Sequence, residues 1–149
     1  MPTYSDTILC EDVRPELNNK LMLAGVFGDE IIVPQIPAVL ESLCFVQRWR
    51  VPNDEVDRGT GQFSFVIEWP NGQKQIIPPA GPAVVGKGVH TANLTFVFKF
   101  AGFPLHSKGE HKFRTSINDV EKNVFSFYVA TAAELAALAQ PKPKIGFRQ

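Results

Sequence analysis

Phenylalanine recurs at every second position through the last third of the chain, and that spacing leaves little freedom of secondary structure. In the run Leu94-Thr-Phe-Val-Phe-Lys-Phe100, Leu94, Phe96, Phe98 and Phe100 form one alternating set. Positions two apart share a face in an extended strand, whereas a helix would scatter them around its circumference. Residues 110–117 repeat the device with Phe113, Thr115 and Ile117, and residues 123–129 repeat it with Phe125, Phe127 and Val129. Three successive strands, each apolar on one face, require a second apolar layer to cover them.

The first half supplies candidates for that layer. Residues 44–51 place Phe45, Gln47, Trp49 and Val51 on one side and Arg48 and Arg50 on the other, and residues 62–69 place Phe63, Phe65, Ile67 and Trp69 inward. Pro70-Asn71-Gly72 reads as a tight turn into a strand at 73–77. Residues 5–13 alternate until Pro15, and Asn18-Asn19 signals a turn. Residues 20–27 are apolar on both faces, which predicts a central strand, with Gly25 marking a bulge or a close backbone approach. Residues 30–33 fit a short edge strand. The stretch 34–43 has two prolines and the spacing Val39, Leu40, Leu43, so it reads as a loop with one helical turn starting at Pro37. Residues 52–61 read as a polar hairpin connection, and 78–93 as the longest irregular segment.

Eight or so strands with one terminal helix predict an all-β fold. The expected form is a two-sheet antiparallel β-sandwich of immunoglobulin-like or jelly-roll kind, with a short C-terminal helix and an extended tail. Residues 1–140 would form a single domain, and residues 141–149 the tail. Thr131-Ala-Ala-Glu134 has the capping-box spacing that starts a helix near 131–140. Twelve phenylalanines and two tryptophans supply the interior without a disulfide or metal staple.

Fifteen basic and fifteen acidic residues cancel, so the chain lacks the positive field that nucleic-acid binding uses, and no nucleic-acid partner is expected. No apolar run approaches a membrane span, and the first residues lack a signal-peptide pattern. The expectation is a cytoplasmic protein without a membrane partner, with Cys10 and Cys44 as buried reduced thiols.

No motif specifies a chemistry. Gly81-Pro-Ala-Val-Val-Gly-Lys-Gly88 imitates a phosphate-binding loop, but Gly88 replaces the hydroxyl residue that would hold magnesium, and the next segment is a strand. His106 and His111 are five apart, which puts them on opposite faces of a strand, and His90 lies in the irregular segment. Asp54, Glu55 and Asp57 are only fragments of a calcium loop. Around Cys10, the acids Glu11 and Asp12 would raise a thiol pKa, and Arg14 is expected to pair with Asp12 or Glu16. These readings argue against an enzyme and for no cofactor.

What remains is a non-catalytic interaction module that binds itself or a protein partner. Its candidate contact residues are Leu135 and Leu138 on the terminal helix and Ile145 and Phe147 on the tail. Val97 and Tyr128 join them: both lie opposite the phenylalanine stripes and, with Val124, would make an apolar patch bordered by Lys99, Lys112 and Arg114. The alternative is a small-ligand or carbohydrate binder using Trp49, Trp69 and the 78–93 loop.

The opening Cys10-Glu-Asp-Val-Arg14, followed by Asn19-Lys-Leu-Met-Leu-Ala-Gly-Val-Phe-Gly-Asp29, resembles the N-terminal signature of a family of small uncharacterised bacterial proteins. There an acidic strand precedes a G-K-L-type second strand ending in G-V-(Y/F). Asn19 stands here in place of that glycine. The resemblance covers the first thirty or so residues clearly and implies a bacterial or phage setting, with no particular activity.

Overall fold

A computed structural model describes residues 1–17, 20–59, 61–78, 83–85 and 88–139. Ten strands and two short helices follow in the order β1 (Thr3–Glu16), β2 (Lys20–Val26), β3 (Glu30–Val33), β4 (Ala38–Pro52), α1 (Asn53–Arg58), β5 (Phe63–Glu68), β6 (Lys74–Ile77), β7 (Ala83–Val85), β8 (Thr91–Leu105), β9 (Gly109–Ile117), β10 (Val120–Thr131) and α2 (Ala132–Ala139). The strands form two sheets of five, ordered β2-β1-β4-β8-β7 and β3-β10-β9-β5-β6. The architecture is the two-sheet β-sandwich that the alternating pattern requires. One pairing departs from the antiparallel rule: β3 runs parallel to β10, from Glu30 opposite Tyr128 to Val33 opposite Thr131.

The spine of the first sheet is the β4–β8 pair, matched from Ala38 opposite Leu105 to Pro52 opposite Thr91. Residues 38–43 are therefore strand, contrary to the helical turn their spacing suggests. Three apolar positions cannot hold an isolated helical turn, and pairing with the far half of β8 supplies the backbone with partners instead. In both strands the inward parity flips together, from Leu43 and Phe100 to Leu40 and Phe103, through the exposed residues 41–42 and 101–102. Gly102, with φ of 74°, makes this bend possible, because a side chain there would strain the backbone.

Residues 53–58 form α1 and do not connect a hairpin, because they carry the chain from β4 in the first sheet to β5 in the second. β2 is also not central. It is the outer strand of its sheet, pairing with β1 alone, and Met22 and Val26 are exposed. The turns follow the sequence more closely. The Gly72 N–H donates to the Trp69 carbonyl at 2.9 Å, closing the turn at Pro70-Asn71. Asn118 and Asp119, both at positive φ, join β9 to β10, as a two-residue hairpin loop demands.

The interior is a continuous aromatic layer. Phe45 stacks on Phe113 with ring centroids 4.7 Å apart, Phe65 meets Phe98 at 4.6 Å, and Trp69 stacks on Phe103 at 5.6 Å. These pairs join the two sheets, and each is worth about 0.5–1.5 kcal/mol beyond the area it buries. A buried polar network crosses the layer. The Gln47 Oε1 atom accepts from Trp49 Nε1 and from Thr115 Oγ1, both at 2.8 Å, while Gln47 Nε2 donates to Thr7 Oγ1 at 3.1 Å. A smaller apolar cluster lies on the outer side of the first sheet, where Cys10, Val13, Cys44 and Val46 are buried with Ile8, Leu21, Leu23 and Val97 packed against them.

Candidate interaction surface

The helix α2 begins where the capping-box spacing places it. The Glu134 N–H donates to Thr131 Oγ1 at 3.3 Å, and the Thr131 N–H donates to Glu134 Oε1 at 3.2 Å. Lys108, before β9, adds an ion pair to Glu134 at 3.3 Å, so the start of the helix is tied to the second sheet. These contacts, and the nearby positive charge, hold the Glu134 carboxyl below the usual carboxylate range. Beyond this tether α2 buries none of its residues. Leu135 is 51% exposed and Leu138 83% exposed.

Around the helix start, the outer face of the second sheet presents Tyr128 of β10 and Ile32 of β3, 46% and 38% exposed. Parallel pairing sets Ile32 opposite Ala130, so these groups share one surface. A depression of about 450 Å³, lined by Glu30, Lys108, Tyr128, Ala130 and Glu134 among others, lies between sheet and helix. Val124 extends the apolar row along β10. Farther across the same face, Arg114 bridges Glu68 at 2.7 Å and Glu121 at 2.8 Å, a charged lattice that keeps this part of the sheet wet.

Val97 does not belong to this surface. It lies on β8, in the other sheet, half-buried against the outer apolar cluster, and its neighbour Lys99 donates to the Val13 carbonyl at 2.6 Å. The expected single patch of Val97 and Tyr128 is thus divided between opposite faces of the sandwich. Ile145 and Phe147 lie outside the described residues, as does the tail. One surface went unread in the sequence: Met22, Ala24 and Val26 are exposed along edge strand β2. Its signal, a strand apolar on both faces, was present but pointed equally to a central strand.

The indoles needed for the ligand-binding alternative are committed elsewhere. Trp49 and Trp69 are buried, and their N–H groups donate to Gln47 Oε1 and to the Pro104 carbonyl. Neither ring is available as a stacking platform. Of residues 78–93, the described part supplies β7 and the start of β8, and the Gly88 N–H closes onto the Thr91 carbonyl at 2.8 Å. That contact leads into a strand, where a phosphate-binding loop would open a helix. Arg14 pairs with Asp12 at 3.0 Å. Among the described residues no three His, Cys, Asp or Glu side chains gather as a metal set, and no helix is long and apolar enough to cross a membrane.

His111 is the one histidine drawn inside. Fully buried, it stacks on Phe127 with centroids 5.0 Å apart, and its Nδ1 lies 3.1 Å from the Gly109 carbonyl. Burial pushes the imidazole below its ordinary pKa, so the native state holds it neutral. The unfolded chain takes up a proton near its ordinary pKa of about 6.5 and the native state only at lower pH, so stability is full above about pH 6.5 and falls below it. Urea unfolding should show stability falling from pH 7.5 to pH 5.5, and His111→Phe should flatten that fall. An unchanged slope in the variant would place the acid sensitivity elsewhere.

Among the described residues, ten strands in two sheets, an aromatic interior and an exposed helix after the last strand define a β-sandwich protein. The sequence model of a family of unknown function, DUF6941, matches residues 5–130, and the chain belongs to that family. The match spans the sandwich, while α2 lies beyond it. No curated protein matches the chain.

Proposed function

We propose that the protein is a non-catalytic interaction module, built to bind a second copy of itself or a protein partner through α2 and the adjoining edge of the second sheet. The observation that carries the reading is α2 itself: a capped, tethered helix whose Leu135 and Leu138 face solvent beside Tyr128 and Ile32. An eight-residue helix is too short to persist on its own propensity. Holding it in place with a capping box and an ion pair, yet without packing its leucines, suits a surface completed by another molecule. Exposed apolar side chains rimmed by charge are the usual composition of such surfaces. The neutral overall charge and the bacterial or phage setting implied by the opening motif accord with a cytoplasmic protein partner.

Native mass spectrometry and sedimentation test the proposal directly. The wild type should run as a multiple of 16.5 kDa or carry an added protein mass, and Leu135→Glu with Leu138→Glu should return it to the bare monomer at unchanged melting temperature. The exposed row of β2 serves as the comparison: Met22→Glu and Val26→Glu should leave the assembly intact. A bare wild-type monomer, or an assembly indifferent to the α2 changes, would contradict the proposal.

A further inference from the structure

Cys10 of β1 and Cys44 of β4 are direct cross-strand partners, both free and both wholly buried. Facing residues of antiparallel strands have Cα atoms about 4.5–5.5 Å apart, within the range of about 4.4–6.8 Å that disulfides span. Both side chains belong to the same outer apolar cluster. Cys44 Sγ also lies 3.7 Å from the Glu11 carbonyl, the next residue of β1.

We propose that Cys10 and Cys44 form a two-electron redox pair, closed by a small-molecule disulfide such as oxidised glutathione into a cross-strand bridge that pins β1 to β4. In the first step one cysteine, as thiolate, attacks the reagent. A protein–glutathione S–S bond forms, the reagent S–S bond breaks, and one glutathione thiolate leaves and takes up a proton. In the second step the other cysteine loses its proton and attacks the protein sulfur of the mixed disulfide, expelling the second glutathione. Two protein S–H bonds are lost and one S–S bond is gained, and two electrons pass to the reagent, which leaves as two thiols. Burial raises both thiols, Cys10 to about 11, and the Lys99 ammonium partly offsets this at Cys44.

The cover over the pair controls access. Leu21 and Leu23 of β2 and Val13 of β1 pack over the thiols together with Ile8 and Val97. β1 pairs with β4 as far as Cys10 and with β2 from that residue onward, so the β1–β2 hairpin parts from the β4 ladder there and lies against the outer cluster. Its ties there include the bond from Ser42 Oγ to the Glu11 carbonyl and that from Lys99 to the Val13 carbonyl. A hairpin held at its base in this way is the kind of unit that opens locally without global unfolding. Opening admits the reagent, and the bridge then restrains the hairpin root.

The test uses the full chain incubated natively with oxidised glutathione, then alkylated in denaturant and weighed intact. The expected product has lost two hydrogens, takes up no alkylating agent, and melts roughly 5–10 °C higher until dithiothreitol reverses the change. Cys44→Ser should abolish the melting shift, and Leu23→Ala should speed the reaction by thinning the cover. Recovery of both thiols as alkylated cysteines would overturn the proposal, as would a product carrying glutathione on each sulfur. A rate unaffected by Leu23→Ala would overturn the gating by the hairpin.

Discussion

Replacing Phe45 by alanine should cost about 4 kcal/mol of unfolding free energy and lower the melting temperature by roughly 10 °C. The ring is wholly buried and touches four others: Phe113 at 4.7 Å, Phe100 at 5.7 Å, Phe127 at 5.8 Å and Phe103 at 6.3 Å. Two of these come from β8 beside it and two from β9 and β10 across the interface. Removing the ring therefore takes contact from both sheets at once. Because all four neighbours are held by paired strands, they have little room to move into the gap. Chemical denaturation followed by tryptophan fluorescence measures the loss. A cost below about 1.5 kcal/mol would mean that the aromatic layer closes over the cavity, against the rigid packing argued here.

A second large effect is expected from a polar residue. Gln47→Leu keeps nearly the same volume but removes the acceptor shared by Trp49 and Thr115. Two buried donors then lose their partner, and each unsatisfied group costs about 1–3 kcal/mol, so the variant should lose about 3 kcal/mol. Adding Thr115→Val removes one stranded donor and should recover part of the loss, a coupling that a double-mutant cycle reads directly. If Gln47→Leu is neutral, or the double variant is no better than the single, the network does not contribute in the manner described. The network also fixes the relation of the sheets, since Gln47 lies on β4 and Thr115 on β9. Apolar side chains alone tolerate a small slide between layers, whereas these hydrogen bonds do not.

Alternation in the sequence revealed which residues share a face of a strand, and it was reliable for Phe63, Phe65, Ile67 and Trp69 and for the stripes of β8, β9 and β10. Parity does not reveal to which sheet a strand belongs. Val97 and Tyr128 both oppose phenylalanine stripes, so they looked like one patch, yet β8 and β10 lie in different layers. The same ambiguity made β2 look central: two apolar faces describe equally a strand between sheets and one placed over an outer cluster while its other face stays exposed. Residues 38–43 show the other limit. Their spacing is locally helical, but the pairing of Ala38 with Leu105 joins residues far apart in the chain, beyond any local window. Short-range chemistry was legible. Thr131 and Glu134 made the cap their spacing implies, and Pro70-Asn71-Gly72 made the tight turn expected of it. Of the candidate surface, the leucines of α2 could be read from the sequence, whereas Ile32 joined them only through the β3–β10 pairing.

That pairing bears on how the chain reaches its folded form during synthesis. β3 contributes Ile31 and Val33 to the core, yet its partner on β10 is ninety-eight residues later, as Glu30 opposite Tyr128 shows (128 − 30). A ribosome that has released the first sheet's β1, β2 and β4 has also released β3, which must then wait, apolar and unpaired, until the last strand emerges. Such distant pairing is slow to form and leaves sticky intermediates exposed meanwhile. The edge that accepts β3 thus acts as a final latch, and the second sheet becomes whole only when nearly the entire domain has left the exit tunnel.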